Sequence, residues 1–233
     1  MNIIVPADQD AVEPLVIDAD GKLFAIVTFG STTPRRMLSS FAMEKSIRDK
    51  WWKPKKGEVV FDVGAAYGSY TFHAAVQEAT VYAFEPDRDL FFDLCTNATY
   101  NCFANVLTFN CVVGRSRGGT CYSKETHSVV RQGGDAEFRL VLSVDFFAEN
   151  AGRMDWLKID VEGAELEVLN GAVNALQWFK PKLIIECHEQ FVPGIKQQVT
   201  DFLTPLGYVP TWIDDNMAYW EWKDEQTINC PDK

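Results

Sequence analysis

Apolar residues in this chain gather in short blocks separated by polar turns, and the blocks alternate in character. Val59-Val60-Phe61, the run from Thr80 to Phe84, the run from Val106 to Phe109, the stretch ending at Asp160 and the run opening at Lys182 are strand-sized. Continuous apolar runs of that length suit parallel strands buried on both faces. Between them the apolar positions spread to helical spacing, from Ser69 onward, at Leu90, Phe91 and Leu94 up to near Asn101, from the turn after Asp160 to about Trp178, and over 194–205. Strands alternating with helices in this order predict an α/β fold.

The two ends read differently. Residues 14–30 place two β-rich runs around Asp18-Ala19-Asp20-Gly21, a hairpin signal too short for a calcium loop. Residues 34–50 have a helical pattern carried by Met37, Phe41, Met43 and Ile47, and Trp51 to Gly57 breaks it with two docking tryptophans among lysines. We expect residues 1–50 to be an N-terminal hairpin and helix extension, with the main domain over 51–233. At the far end, 206–213 and 217–222 flank Asp214-Asp215-Asn216, a closing antiparallel hairpin. Residues 114–136, rich in Gly, Ser and charge, are long for a connection and predict a hairpin or lid. His127 within them reads as exposed.

The most informative stretch is Val59 to Ala75, VVFDVGAAYGSYTFHAA. Strand, glycine turn and helix in that order present free backbone N–H groups to a ligand at a helix N-terminus. Gly64 and Gly68 are expected to remove side chains where a ligand lies against backbone. The pattern is D-x-G-x-x-x-G, so it is neither the G-x-G-x-x-G of dinucleotide sites nor a P-loop. Asp62 at the strand end repels a pyrophosphate and suits a ligand with an ammonium group, such as S-adenosylmethionine.

Two further strands end in acids. Glu85, followed by Pro86, stands about twenty residues beyond Gly64, where a carboxylate can accept hydrogen bonds from a ribose diol. Asp87 is placed to cap the next helix; Asn97 and Asn101 read as polar helix positions and a C-cap. Asp160, Glu162 and Glu165 crowd one turn in DWLKIDVEGAE. Acids favour a helix N-terminus, which accounts for Glu165. Asp160 instead falls at a carboxyl end of the sheet, where open α/β proteins bind ligands. Glu186 and His188 alternate with Cys187 at the exit of the next strand, so both can point to one side. Asp145 is placed to cap a short helix.

At 233 residues, 47% of them hydrophobic, the chain can build a sizeable core. Its net charge of −11 argues against a nucleic-acid substrate. The N-terminal MNIIVPADQD has no basic n-region, so no signal peptide is expected, and no apolar run is long enough to span a membrane. Six cysteines, at 95, 102, 111, 121, 187 and 230, form no C-x-x-C pair, and several sit in apolar runs like buried thiols of a reduced compartment. A cytoplasmic location is expected, and the sequence leaves a homo-oligomer open.

FDVGAAYGSYT (61–71), YAFEPDRDLFFDLCTNATYN (82–101), DWLKIDVEGAELEVLNGA (155–172) and LIIECHE (183–189) resemble the FkbM family of S-adenosylmethionine-dependent methyltransferases, over roughly residues 40–213. The resemblance implies the class I methyltransferase fold, a Rossmann-like, seven-stranded, mostly parallel sheet with a reversed last strand and helices on both faces. It implies methyl transfer to hydroxyl groups of sugars, glycans or secondary metabolites. It places Asp62, Gly64 and Gly68 at the methionine end of S-adenosylmethionine, with Ala65 and Tyr67 beside them, Glu85 and Pro86 at the ribose, and Asp160 near the methionine or the transferred methyl. The acid that class I enzymes often carry after the third strand is missing; Asn110 stands in that region as the candidate adenine contact.

Methyl transfer to an alcohol needs the acceptor, methyl and sulfur in line, and a base for the hydroxyl proton. His188 is the natural base because imidazole titrates near neutrality, with Glu162 and Asp160 in reserve. An alternative is a divalent metal on Asp160, Glu186 and His188 that acidifies the hydroxyl. Two rivals are a protein that binds S-adenosylmethionine without catalysis and a nucleotide-cofactor oxidoreductase; the missing G-x-G-x-x-G speaks against the second.

Overall fold

The computed structural model describes residues 14–27, 44–123, 128–130 and 136–224; the expectations on Met37, Phe41, Met43 and His127 lie outside them. Strands β1 (Leu15–Ala19) and β2 (Lys22–Ile26) pair antiparallel as the predicted hairpin. Its turn residues Asp20 and Gly21 both have positive φ, 54° and 81°, as a two-residue hairpin turn requires. Helix α1 (Lys45–Trp51) follows. Then come β3 (Val59–Val63), α2 (Ser69–Val76), β4 (Thr80–Phe84), α3 (Arg88–Tyr100) and β5 (Val106–Phe109).

The stretch expected to be a hairpin or lid contributes to a small sheet of its own. It comprises β6 (Val112–Val113), β7 (Gly118–Ser123), β8 (Ser128–Val130) and β9 (Ala136–Leu142), in the order β6-β9-β7-β8. The chain continues through α4 (Val144–Ala151), β10 (Trp156–Ile159), α5 (Glu165–Asn170), α6 (Val173–Phe179), β11 (Lys182–Glu186), α7 (Ile195–Leu203), β12 (Tyr208–Trp212) and β13 (Met217–Trp222).

The main sheet has seven strands in the order β12-β13-β11-β10-β3-β4-β5. Strands β11, β10, β3, β4 and β5 run parallel, and β13 enters antiparallel between β11 and β12. This is the expected mostly parallel sheet with a reversed last strand. Alternate residues build two cores: Phe61, Val63, Leu157, Ile159, Leu183 and Ile185 feed one face, Val60, Trp156 and Ile184 the other. The second face is where the N-terminal hairpin docks, Phe24 packing on Phe72 and Phe103. Trp52, fully buried, meets Tyr70 and Trp156 edge-on.

Several local expectations gain or change. Asn97 lies in α3 and Asn101 is its C-cap, as expected, and the two, one helical turn apart, are also the clamp for β2. Asn97 accepts from the Val27 N–H at 2.7 Å and donates to its carbonyl at 3.0 Å, and Asn101 does the same to Ala25 at 2.7 and 2.6 Å. Each amide reproduces the pairing a neighbouring strand would give. The helix after Asp160 is broken in two at Gly171, whose absent Cβ would lie 2.1 Å from the Gly114 carbonyl oxygen. Asp145 does not cap its own helix: Ser143 accepts the Phe146 N–H at 3.2 Å, while Asp145 accepts from Asn174 and Ala175 at the start of α6. Asp87 caps α3 as expected, accepting from Asp89 and Leu90. Cys111 and Cys187 are buried, Cys95 and Cys121 half-buried and Cys102 exposed, all of them free thiols. Among the described residues no helix is long and apolar enough to cross a membrane.

Candidate active site

The acids that close the central strands meet at the carboxyl edge of the sheet, where open α/β folds bind ligands. The glycine turn after β3 is built around that edge. Gly64 has φ +80°, and a Cβ on it would lie 1.7 Å from the Asp160 carbonyl oxygen. Gly68 has φ +87°, and its Cβ would run into the Phe72 ring at 2.3 Å. Both glycines thus answer a steric demand inside the fold, a reason the sequence reading did not contain. Between them Ala66 sits in the left-handed region at φ 46°, which turns its N–H onto Glu85 Oε2 at 2.8 Å. Ala65 is buried at 4% exposure; Tyr67 and Pro86 are half-buried.

Glu85 ties this turn to the next strand. Its second oxygen accepts the Asp87 N–H at 2.7 Å, and the residue is 3% exposed. Burial pushes its pKa up to about 8 despite those two N–H groups. Asn110 donates to the carbonyls of Glu85 and Pro86 at 2.8 and 3.2 Å. Arg139, on β9, donates from Nε to the Pro86 carbonyl at 2.6 Å, so the small sheet is fastened to the same turn.

A row of alternating charge crosses the neighbouring strands. Asp62 is fully buried, accepts the Thr71 hydroxyl at 2.6 Å on one oxygen, and has its other oxygen 3.9 Å from Lys158 Nζ. Lys158, itself 3% exposed, reaches Asp160 Oδ2 at 3.0 Å and the Gly64 carbonyl at 3.4 Å, and lies 4.8 Å above the Tyr70 ring. Burial opposes its charge, but Asp160, Asp62 and Glu44 outweigh that and hold the ammonium above its ordinary range. Asp160 Oδ1 then faces His188 Nε2 at 3.6 Å. On the far side of that ring Nδ1 meets Glu165 Oε1 at 2.6 Å.

His188 is therefore enclosed by carboxylates. Its Nε2 lies 3.4 Å from Glu162 Oε2 and 3.9 Å from Glu186 Oε1. Burial alone would lower the imidazolium pKa; the bond to Glu165 and the charges of Asp160 and Glu162 prevail and raise it to about 9. Glu186 is pushed up to about 7 by burial and by Asp160. One ligand atom each from Asp160, Glu186 and His188 falls within 4.8 Å of the others, so these three can converge on one cation. Glu162 is held at φ 52°, a left-handed conformation that a non-glycine residue adopts at a cost.

The sequence reading brought Asp160, Glu162, Glu186 and His188 to one place and missed two partners. Lys158 looked like part of a strand, though a lysine in an otherwise apolar run between two acids was the signal for it. Glu165 looked like a helix-terminus acid. It does accept the Gly163 N–H at 3.1 Å, but its buried carboxylate faces the imidazole.

Comparison with known proteins places this site in context. Residues 62–210 match the family model of the methyltransferase FkbM domain. The hexuronic acid methyltransferase AglP of Haloferax volcanii is 31% identical over 144 residues, 58% of this chain and 57% of that relative. The crystal structure of methyltransferase FkbM from Methylobacillus flagellatus superposes with a TM-score of 0.56 at 20% identity, over 75% of this chain and 46% of that one. The chain thus spans about half the length of both.

Proposed function

The chain belongs to the FkbM methyltransferase family, and from that premise we propose that it is an S-adenosylmethionine-dependent O-methyltransferase acting on a hydroxyl of a sugar, glycan or secondary metabolite. The observation that carries this is His188: a buried imidazole, oriented by Glu165, at the strand ends where Asp160 and the glycine turn converge. A relative described as a hexuronic acid methyltransferase supports a sugar acceptor.

The donor set fits the cofactor. Asp160, Glu162 and Glu186 stand beside the cations Lys158 and His188, a mixed set that suits a methionine end bearing an ammonium, a carboxylate and a sulfonium. Asp62, Gly64, Ala65, Tyr67 and Gly68 would hold that end, Glu85 and Pro86 the ribose, and Asn110 the adenine. When bound, S-adenosylmethionine supplies an electrophilic methyl group.

The residues of the chain do the rest. Glu165 accepts the Nδ1 proton, so a neutral His188 presents the Nε2 lone pair to the acceptor hydroxyl. In the unloaded protein the surrounding carboxylates keep a proton on that nitrogen. With a positive group bound beside Asp160, that proton would be released to solvent more readily, and the freed Nε2 could then accept the hydroxyl proton as the oxygen attacks. Asp160 and Glu162 are the reserve bases. The test is turnover with labelled S-adenosylmethionine against a panel of hydroxylated sugars, for wild type and His188→Ala. Cofactor affinity should survive while turnover falls by ~10²–10⁴-fold. Equal turnover in the variant would remove His188 from the mechanism, and binding without turnover on any acceptor would favour a sensing role.

A second reading uses the convergence of Asp160, Glu186 and His188. Mixed carboxylate and imidazole donors suit a divalent ion that acidifies the hydroxyl directly. Lys158 at 3.0 Å from Asp160 competes for the same charge. Loss of turnover on chelation, restored by a divalent ion, would favour this reading over the base.

A further inference from the structure

The loop after β11 carries an aromatic ring that the chemistry above does not use. Phe191 is 54% exposed, yet its backbone is firmly held. Its N–H and that of Val192 both donate to the His188 carbonyl at 3.0 Å. Glu189 pins the other end of the loop by accepting the N–H groups of Gly194 and Lys196 at 2.8 and 2.9 Å. The loop also packs on the turn after β10, with Phe191 Cβ 3.2 Å from where a Gly163 Cβ would be. The ring lies beside the candidate base, its centroid 6.0 Å from that of His188 and tilted by only 29°.

What surrounds this ring is selective in its chemistry. The side chains of Asp160, Glu162 and Glu186 keep 24%, 38% and 26% of their surface open, whereas Glu165 behind the imidazole keeps none. Open carboxylates accept hydrogen bonds from hydroxyls and repel anions. An aromatic face has a negative quadrupole that attracts polarised C–H groups. A pyranose ring offers both partners at once, a face of axial C–H groups and an edge of hydroxyls. The 6.0 Å between the His188 and Phe191 ring centroids is about the width of one sugar ring, so a single acceptor can reach both.

We propose that Phe191 is the acceptor platform of this site, stacking on the C–H face of a pyranose whose hydroxyls are taken by Glu162 and Glu186. The inference rests on the methyltransferase reading and narrows its acceptor to a ring sugar that presents hydroxyls, not a charged acidic group, to this corner. A site built to accept a hydroxyl discriminates strongly against an analogue that lacks it.

The experiment is saturation-transfer NMR with methyl β-D-glucopyranoside, galactopyranoside and mannopyranoside on protein saturated with S-adenosylhomocysteine. Calorimetry of S-adenosylhomocysteine and a thermal melt accompany each variant. Wild type should transfer saturation to the C–H protons of at least one pyranoside. Phe191→Ala should weaken that binding by about ten-fold, the scale of losing an aromatic partner and the area it covers, and Phe191→Tyr should retain it. S-adenosylhomocysteine affinity should be the same in all three proteins, because Phe191 is not among the residues proposed to hold the cofactor. Equal pyranoside binding in wild type and Phe191→Ala overturns the proposal. So does the absence of transfer in wild type while S-adenosylhomocysteine binds, and that outcome leaves the methyltransferase reading standing. Failure of wild type to bind S-adenosylhomocysteine overturns both.

Discussion

Glu165 Oε1 lies 2.6 Å from His188 Nδ1, with no exposed surface on the glutamate. A carboxylate in that position fixes which imidazole nitrogen carries the proton and raises the energy needed to remove the second one. The pairing joins the start of α5 to the exit of β11, two segments separated by the whole of α6.

Glu165→Gln tests the charge without removing the contact. The amide oxygen can still accept from Nδ1 and from the Gly163 N–H. With the negative charge gone, the imidazolium pKa should fall from about 9. The acid limb of kcat/KM should then move to lower pH by about one unit or more, since one unit corresponds to about 1.4 kcal/mol of differential interaction. A pH–rate profile of both proteins measures this, and an unmoved limb would show that Glu165 does not control the base.

Lys158 gives a prediction of the opposite kind. It stands between Asp62 and Asp160, so Lys158→Met leaves the buried Asp62 and the partly open Asp160 without the cation between them. Removing one partner of such a set costs about 3–5 kcal/mol. The penalty should shrink in acid, because Asp62, whose pKa burial already raises, can take up a proton and discharge the pair. Thermal melts of wild type and variant at pH 5 and pH 8 should show the wider gap at pH 8. A gap independent of pH would mean that Lys158 matters for packing against Tyr70 and not for its charge.

The strand ends were legible in the sequence because short apolar runs ending in an acid carry their own punctuation. The seven-stranded, mostly parallel sheet with its reversed last strand followed from the resemblance, and the structure bears it out. What the sequence hid were relations between distant backbones. Position 171, where the helix breaks, admits only glycine because of the Gly114 carbonyl, 57 positions away in sequence, and no local propensity records that. Asn97 and Asn101 read as a polar helix position and a C-cap, which they are, but nothing in α3 announces that β2 lies alongside. Glu165 has a sufficient local explanation as a helix-terminus acid, and that explanation concealed the imidazole. Asp62 and Glu85, read from the sequence as ligand groups, are almost wholly buried and bonded to the protein, so each also has a structural task in the turn.

Gly64 offers a test that separates fold from ligand. A Cβ at 1.7 Å from the Asp160 carbonyl oxygen cannot be relieved by a side-chain rotation, because both atoms belong to backbone. Gly64→Ala must also occupy φ +80°, at roughly 1–2 kcal/mol. The variant should lose well over 3 kcal/mol in total, a size reserved for steric conflict in a packed place. Denaturant unfolding without any ligand reads it directly. Wild-type stability together with weakened cofactor binding would instead mean that the turn is loose and the glycine serves the ligand.

Stability against pH is the last expectation, and three groups set its sign. His188 is raised to about 9 in the folded chain from an ordinary value near 6.5, so its contribution is complete below pH 6.5 and disappears as pH rises through 9. Glu85 and Glu186 are raised to about 8 and about 7 from 4.5 by burial, so between those limits the folded state holds protons that the unfolded state has released. Each of these losses also runs toward alkaline pH. All three act in one direction, and the ligand-free protein should melt at least several degrees lower at pH 9 than at pH 6. Glu85→Gln should flatten the slope between pH 6 and 8, because the amide keeps the acceptor for one N–H and carries no proton to lose. Calorimetric melts across pH 5 to 9.5 check both statements. A melting temperature that stays level or rises over that interval would show that these carboxylates are charged in the folded state and that the cage around His188 is more open to water than its burial implies.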